Sequence, residues 1–369
     1  MLSERQLELM AERVYERLHA VNSYYIAKIG ARIRQVGNLD EKSQNQLQNL
    51  TLWRIEDVKQ IEARLASETG KALNECREII EIVAEDVLEE TKPIYNEKGF
   101  DFVALQKNKV LYDLVKDVIA ETQGELENLT KTTAINQSYK DALDKVFLQA
   151  TTGLETYDKA TESVCRELAE RGIYKVTYDK NGKQYRRRVD TSARQAIITG
   201  MKQVNLRMSE RLAEELDADG WQISYHANPR PSHRSMGGQV YTLKQFKDAG
   251  IQAKLDEFNC LHTKYPYWFG ISSPQYSYEE LTRLKKEDSR KIMIDGKEMD
   301  KYEVSQIQRR VETQIRYQSE VKAVAVASNN KGLELHAKGE ITKLKREYKR
   351  ISEKAGLPTK PERYKIHTN

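Results

Sequence analysis

Apolar residues three or four positions apart run through the first 170 residues, a stretch that holds one of the chain's seven prolines, Pro93. This spacing is typical of one face of an amphipathic α-helix. The clearest stripe consists of Leu7, Met10, Val14, Leu18, Val21, Tyr25 and Ile29. With Ser3 as N-cap and Gly37 as stop signal, it predicts one helix of about 34 residues and roughly 50 Å. Such a helix exceeds the needs of a compact domain and usually packs along others or along a partner.

The same spacing predicts further helices up to Gly172, with a break at Pro93 and at the Asn96–Gly99 stretch. They cover residues 40–70, 71–91, 102–133 and 137–170. No fixed-period repeat is present, so a solenoid is not supported. Residues 1–172 are therefore predicted to form an elongated helical region, whose expected role is to dock a partner.

At Ile173 the pattern changes from helical spacing to strict alternation, which predicts a strand. Asn181-Gly182 is a favoured hairpin turn, and residues 183–189 can return as the second strand. A helix capped by Asp190 or Thr191 then runs to about residue 216, followed by a strand over 221–225. Residues 173–275 are predicted to form a small α+β module.

Residues 276–369 return to helical spacing. The predicted elements are a helix over 277–289, a hairpin around Asp295-Gly296, and two antiparallel helices over 299–328 and 331–355, ended by Gly356. The predicted fold class is therefore mainly α with a small α+β module between helical regions.

The charge distribution is uneven, although the net charge of +5 is too small to indicate nucleic-acid binding by itself. Residues 331–369 hold eleven lysines and arginines against five acidic residues. A second basic spot lies at Arg186–Arg188. A solvated helix face explains the C-terminal charge as well as phosphate binding does. The candidate nucleic-acid contacts are Lys343, Lys345, Arg346, Lys349 and Arg350.

Cys76, Cys165 and Cys260 are odd in number and far apart, so they define no disulfide framework and favour a reducing compartment. The first ten residues lack the basic start and apolar run of a signal peptide. No stretch approaches the roughly 18 consecutive apolar residues of a membrane helix. We expect a protein that is made in a cytoplasm and has no membrane partner.

Potential metal ligands concentrate in two segments of the module. His226, His233, Cys260 and His262 form a nitrogen and sulfur donor set that suits tetrahedral Zn²⁺, although their spacing is not that of a standard zinc finger. Hydrogen-bonded loop histidines with a buried cysteine are the simpler interpretation. Cys/His catalysis, with Arg230 handling an anion, is a third, but no carboxylate partner stands out. The sequence thus leaves either no cofactor or zinc.

Neighbouring sequence adds no familiar catalytic motif: phosphate-binding loops, dinucleotide fingerprints and metalloprotease motifs are missing. Gly237-Gly238 predicts a tight turn leading into a strand at 239–241. The aromatic run from Tyr265 to Phe269 could stack nucleobases, but a core or interface role is the better interpretation.

The segments Ser224–Tyr241 and Asn259–Ser272 resemble the minor capsid protein 2 family of tailed bacteriophages of Gram-positive hosts. That family is related to the wider Mu F-like head-morphogenesis group. Asp190 and Leu261 stand where the family pattern has arginine. The matching positions are Ser224, His226, Arg230, Pro231, Ser232, His233, Gly238, Tyr241, Asn259, Cys260, His262, Pro266, Gly270 and Ser272.

This resemblance implies a low-copy, non-enzymatic head protein that joins the portal during procapsid assembly. The implied partners are the portal protein, other capsid or scaffold proteins, and double-stranded packaged DNA. The implied location is the virion, in the capsid interior or portal region. Two alternatives remain open: a Cys/His-dependent enzyme acting on a phage or host target, and a DNA-binding protein.

Overall fold

The computed structural model describes residues 2–37, 45–151, 157–178, 183–257 and 260–366. The first element, α1, is the helix Glu4–Gly37. Its N-terminus is capped as predicted, because the backbone N–H of Gln6 donates to Ser3 Oγ at 3.3 Å and that of Ser3 donates to Gln6 Oε1 at 2.9 Å. The apolar stripe of α1 is buried along nearly its whole length.

Helix α2 corrects the prediction of two helices and a break at Pro93. It is one continuous helix, Asn45–Lys98, of 54 residues, and therefore about 80 Å long. Pro93 lies near its end, where the missing N–H removes a single backbone hydrogen bond, so the helix continues. It ends at Gly99, whose φ of +74° allows Phe100 N–H to reach the Tyr95 carbonyl at 2.9 Å.

The next three helices are α3 (Lys109–Lys131), α4 (Ile135–Thr151) and α5 (Tyr157–Arg171). The helix predicted from residue 102 starts later, because the Asn108 side chain accepts a hydrogen bond from Leu111 N–H and caps α3. The helix predicted over 137–170 is two helices. Residues 152–156, between them, lie outside the described residues.

The predicted change to β-structure at Ile173 is confirmed. Strands β1 (Tyr174–Tyr178) and β2 (Gln184–Arg188) pair antiparallel; their predicted Asn181-Gly182 turn lies outside the described residues. Helix α6 (Val189–Glu215) follows directly and packs against α1, α2 and α3.

The module continues with a three-stranded antiparallel sheet in the order β4-β3-β5. In the central strand, Trp221 pairs with Tyr241 on one side and Pro266 on the other. Because Ile223, at the end of β3, pairs with Lys264, at the start of β5, the loop after β3 and the segment before β5 meet at one end of the sheet. The elements are β3 (Gly220–Ile223), β4 (Val240–Thr242), α7 (Leu243–Asp248), α8 (Ile251–Leu255) and β5 (Lys264–Tyr267).

The C-terminal elements match the prediction closely. The hairpin turn has φ of +49° at Asp295 and +78° at Gly296, as a type I′ turn requires. Gly356, with φ of +61°, caps the last long helix. The elements are α9 (Tyr278–Asp288), β6 (Ile292–Ile294), β7 (Lys297–Met299), α10 (Lys301–Ala327) and α11 (Lys331–Ala355).

The largest hydrophobic core joins the three predicted regions. It takes side chains from α1 to α6, from the β5 segment, from the second half of α10 and from the start of α11. Tyr265 and Trp268 of the aromatic run belong to this core, and Trp268 Nε1 donates to the Leu216 carbonyl at 2.7 Å. The aromatic run is therefore mainly a core element, as predicted. The division at residues 172 and 275 stays a prediction about folding units.

Candidate metal centre and adjoining cavity

The two segments that carry the predicted site residues are joined by backbone and side-chain hydrogen bonds at the end of the three-stranded sheet. Ser224 N–H donates to the Thr263 carbonyl, and Thr263 N–H donates to Ser224 Oγ, both at 2.9 Å. A 3-10 turn, Pro231–His233, then folds the first segment back over the second. Proline at the start of this turn fixes its φ angle without losing a needed N–H.

Three of the four predicted ligands converge. Donor atoms of His233, Cys260 and His262 all lie within 4.8 Å of one another, and all three residues are buried. Cys260 Sγ lies 3.6 Å from Nδ1 of His233 and 3.6 Å from Nδ1 of His262. His226, the fourth predicted ligand, is half-buried, with Nε2 at 3.2 Å from His262 Nδ1. We call these four residues the His/Cys cluster.

A carboxylate that sequence analysis did not identify supports the His/Cys cluster. Glu257 Oε2 lies 3.0 Å from His233 Nε2 and accepts a hydrogen bond from Arg230 Nη1 at 2.9 Å. The only sequence signal was its position three residues before Cys260, in a run that also contains Asp256. The arrangement Cys260, His233, Glu257 can act either as a metal ligand set with an outer carboxylate or as a thiol–imidazole–carboxylate relay.

Burial dominates the electrostatics of the cluster. It lowers the pKa of His262 to about 2, helped by the neighbouring His226 and His233. Burial also lowers the pKa values of His226 and His233, although Glu257 opposes this at His233. For Cys260, burial raises the thiol pKa. The imidazoles are thus neutral near pH 7, the form that binds metals, and the metal-free thiol lacks the lowered pKa of an activated nucleophile.

The remaining motif residues shape the loop around the cluster. Pro231 and Ser232 form the 3-10 turn, and Tyr241 in β4 packs against the small core under the sheet. Gly238 has φ of +74°, and a Cβ there would lie 2.5 Å from Leu281 Cδ1 of α9, so the turn requires glycine. Gly270, with φ of +86°, turns the chain after β5. Asn259 lies outside the described residues.

A cavity of about 560 Å³ adjoins the cluster between α1, α6, α10 and the module. His226 and Cys260 line it, together with Arg194 of α6 and Arg316 of α10. His233 and His262 lie behind this wall. Sequence analysis gave no indication of the cavity, because its walls come from segments hundreds of residues apart.

A buried charged network also went unnoticed in the sequence. Arg188 binds Asp190 through Nη2 at 2.6 Å and Glu320 through Nη1 at 2.7 Å. His19 Nδ1 lies 3.0 Å from Asp190 Oδ2. Arg188 is therefore not part of an exposed basic spot, although Arg186 and Arg187 are exposed. Helix α6 begins at Val189, so Asp190 is not the predicted N-cap but lies inside the first turn.

The candidate nucleic-acid residues lie on α11, where several already have acidic partners. Lys343 pairs with Glu340 at 2.7 Å, Lys349 with Glu353 at 3.7 Å, and Arg350 with both Glu347 and Asp295. Lys345 lies over the Tyr364 ring, and Arg346 is exposed. Exposed ion pairs of this kind are weak, so their side chains can exchange partners. Nucleic-acid binding by this helix stays a prediction.

None of the helices in the described residues is long and apolar enough to span a bilayer.

The family comparison agrees with the resemblance seen at the His/Cys cluster. The model of the family described as phage minor capsid protein 2 matches residues 2–351. No curated protein and no solved structure gave a significant match. The family match covers both helical regions as well as the module, and is not limited to the motif segments. This chain belongs to the phage minor capsid protein 2 family.

Proposed function

We propose that this chain associates with the portal during procapsid assembly and acts there as a structural component. The starting point is its family, which makes it a head protein of the phage virion with other phage structural proteins as partners. Two observations on the helical region favour a docking role. The region is built on a helix of 54 residues, and it exposes apolar side chains near the end of that helix.

The exposed apolar side chains lie where α2 passes into α3: Phe100 and Val103 in the connection, and Val110 in the first turn of α3. Phe100 is 54% exposed, Val103 38% and Val110 55%; we call these three residues the apolar junction. Scattered exposed apolar residues are ordinary on protein surfaces. Three within eleven residues, from Phe100 to Val110, are a better candidate for contact with another protein. This exposure is the observation that carries the proposed docking site, and a portal protein of the same phage is the proposed occupant.

Co-expression with that portal protein tests the proposal. We expect the full chain to copurify with the portal, and Phe100→Asp combined with Val110→Asp to weaken association about tenfold or more, since two apolar contacts would be lost. Leu335→Asp is the matched control, because Leu335 is 67% exposed but lies on α11. An intact chain that does not associate with portal at any assembly stage would contradict the proposal.

The proposal extends to packaged DNA, with α11 as the contacting element. Its support is the excess of lysine and arginine after residue 331 and the absence of an ion pair at Lys345 and Arg346 among the described residues. Binding to duplex DNA should then weaken steeply as salt rises, because phosphate contacts release counterions. Salt-independent binding would argue against this extension.

A structural role is favoured over Cys/His catalysis because the family is one of capsid proteins. The geometry of the cluster also directs Cys260 toward two histidines at equal distance. A nucleophile and base need only one such contact.

A further inference from the structure

We propose that the His/Cys cluster binds one zinc ion, with His233, Cys260 and His262 as fixed ligands and His226 closing the fourth position. This inference goes beyond the proposed portal role and does not depend on it. It concerns how the module keeps its shape, and it assigns separate functions to the four side chains and to Glu257.

The distances within the cluster agree with the edges of a zinc tetrahedron. Zinc bonds of about 2.0–2.1 Å to nitrogen and about 2.3 Å to sulfur give S···N edges of about 3.6 Å and N···N edges of about 3.3 Å. The two observed S···N distances from Cys260 are both 3.6 Å. The observed distance between His226 Nε2 and His262 Nδ1 is 3.2 Å. Three independent edges therefore have the lengths that a bound zinc ion would give them.

The hydrogen bond between His233 and Glu257 leaves Nδ1 of His233 free to bind the metal ion. Its Nε2 faces Glu257 Oε2 at 3.0 Å, so Nε2 carries the proton and Nδ1 presents a lone pair toward Cys260. A carboxylate bound to the far nitrogen of a ligating histidine is a recurrent outer contact of zinc sites. Arg230, bound to the same Glu257 oxygen at 2.9 Å, holds that carboxylate in place.

The four ligands differ in how firmly they are held. His233 and His262 are 1% exposed and Cys260 is 5% exposed, whereas His226 is half-buried and lines the cavity. The three donor atoms that lie within 4.8 Å of one another do not include one from His226. His226 Nε2 already lies at an edge distance of 3.2 Å from His262 Nδ1, so a rotation about that contact has to bring it closer to His233 and Cys260 to complete the tetrahedron. The ion would connect the loop after β3 to the segment before β5. Hydrogen bonds such as those between Ser224 and Thr263 also join these two segments.

Metal analysis of the full chain, purified without a histidine tag, tests the proposal. We expect one zinc ion per chain, lost in His233→Ala and in Cys260→Ser. His226→Ala should keep the ion with weaker affinity, because three ligands remain. His336→Ala is the matched control, since His336 is an exposed histidine on α11 and its loss should leave the zinc content unchanged.

Cobalt replacement provides a readout that does not depend on stability. Co²⁺ in a tetrahedral site with one thiolate gives intense visible bands and a near-ultraviolet sulfur-to-metal band. Both should appear on titration of the metal-free chain, and the sulfur band should be missing in Cys260→Ser. Glu257→Ala should weaken Co²⁺ binding about 10- to 100-fold, as loss of an outer carboxylate does elsewhere, with Glu257→Gln between it and the parent. Circular dichroism identifies any variant that has failed to fold.

Two results would overturn the proposal. One is a folded parent chain that contains no metal and takes up no Co²⁺. The other is Co²⁺ binding that persists, sulfur band included, in Cys260→Ser. Either result would leave the cluster as a hydrogen-bonded set, and neither bears on portal association, which is measured separately.

Discussion

Asp190 is buried in the structure, although the residues around it in the sequence predict an exposed position. It lies in a basic and polar stretch that predicts an exposed helix start, yet its side chain is only 2% exposed. Burial alone would raise its pKa, but the charge of Arg188 and the hydrogen bond with His19 lower it well below the usual value. The negative charge is retained inside the protein because its partners are buried with it. Removing one partner of a buried ion pair lowers the free energy of unfolding far more than replacing the whole pair with apolar residues does.

Arg188→Met should destabilise the protein by about 3–5 kcal/mol, because it leaves Asp190 and Glu320 as buried charges without their guanidinium partner. Arg187→Met is the control, since Arg187 is the adjacent but exposed residue of β2. Chemical denaturation at pH 7 measures the unfolding free energy of both variants.

The same network predicts a dependence on pH. A folded Asp190 with a lowered pKa contributes stability that is complete above the unfolded pKa of about 3.8 and is lost as pH falls through the folded pKa. The difference between parent and Arg188→Met should therefore narrow below about pH 4. Equal stability of the two variants at pH 7 would contradict this account.

At the scale of single elements, α2 shows that packing against the core can outweigh a helix-breaking residue in a long helix. Gly70 was predicted to end one helix, but it lies within α2 and is exposed. Glycine costs about 1 kcal/mol relative to alanine in a helix interior, and α2 tolerates that cost because flanking residues such as Leu65 and Ala72 are buried in the main core. Packing of the apolar face therefore carries α2 through Gly70, and the helix ends at the Gly99 cap.

Gly70→Ala should therefore stabilise the protein by about 0.5–1 kcal/mol. An added Cβ meets no heavy atom within 4 Å, so only the backbone entropy changes. Thermal and chemical unfolding of the variant measure the gain. A loss of stability instead would mean that the backbone at residue 70 is not helical in solution.

For the molecule as a whole, the central observation is that the C-terminal helices return to the N-terminal one. Gly30 of α1 faces Ala327 of α10, and an added Cβ at residue 30 would lie 2.5 Å from Ala327 Cβ. Lys360 also reaches Glu8 of α1, at 2.6 Å. The two ends of the chain are thus held together in one packed unit around α1.

Gly30→Ala should destabilise the protein by about 1–3 kcal/mol, as overpacking at a close helix contact does. Gly70→Ala is the matched control, because it makes the same chemical change on a helix surface with free space. Comparison of the two unfolding free energies isolates the packing cost. A neutral Gly30→Ala would show that α1 and α10 do not approach each other this closely.

What could be predicted from the sequence is local. Capping residues and periodic apolar positions correctly located α1, α10 and α11, and the Asp295-Gly296 pair located its hairpin, because each signal acts within a few residues of chain. The His/Cys motif named four candidate ligands on two short segments, of which the structure brings His233, Cys260 and His262 within 4.8 Å of one another; their role as metal ligands stays a proposal.

The tertiary structure decided what depends on contacts between distant segments. Only packing shows that α2 continues through Gly70 and Pro93, that Arg188 is buried with Glu320, and that a cavity opens beside His226. The contact between Glu257 and His233 likewise becomes visible only in the folded chain, because the two residues meet across the loop through a hydrogen bond. The sequence by itself determined the mainly α fold class, the position of the change to β-structure and the family resemblance, since these follow from local patterns. The continuation of α2, the pairing of the buried charges and the geometry of the cluster depend on burial between distant segments, which a linear pattern does not contain.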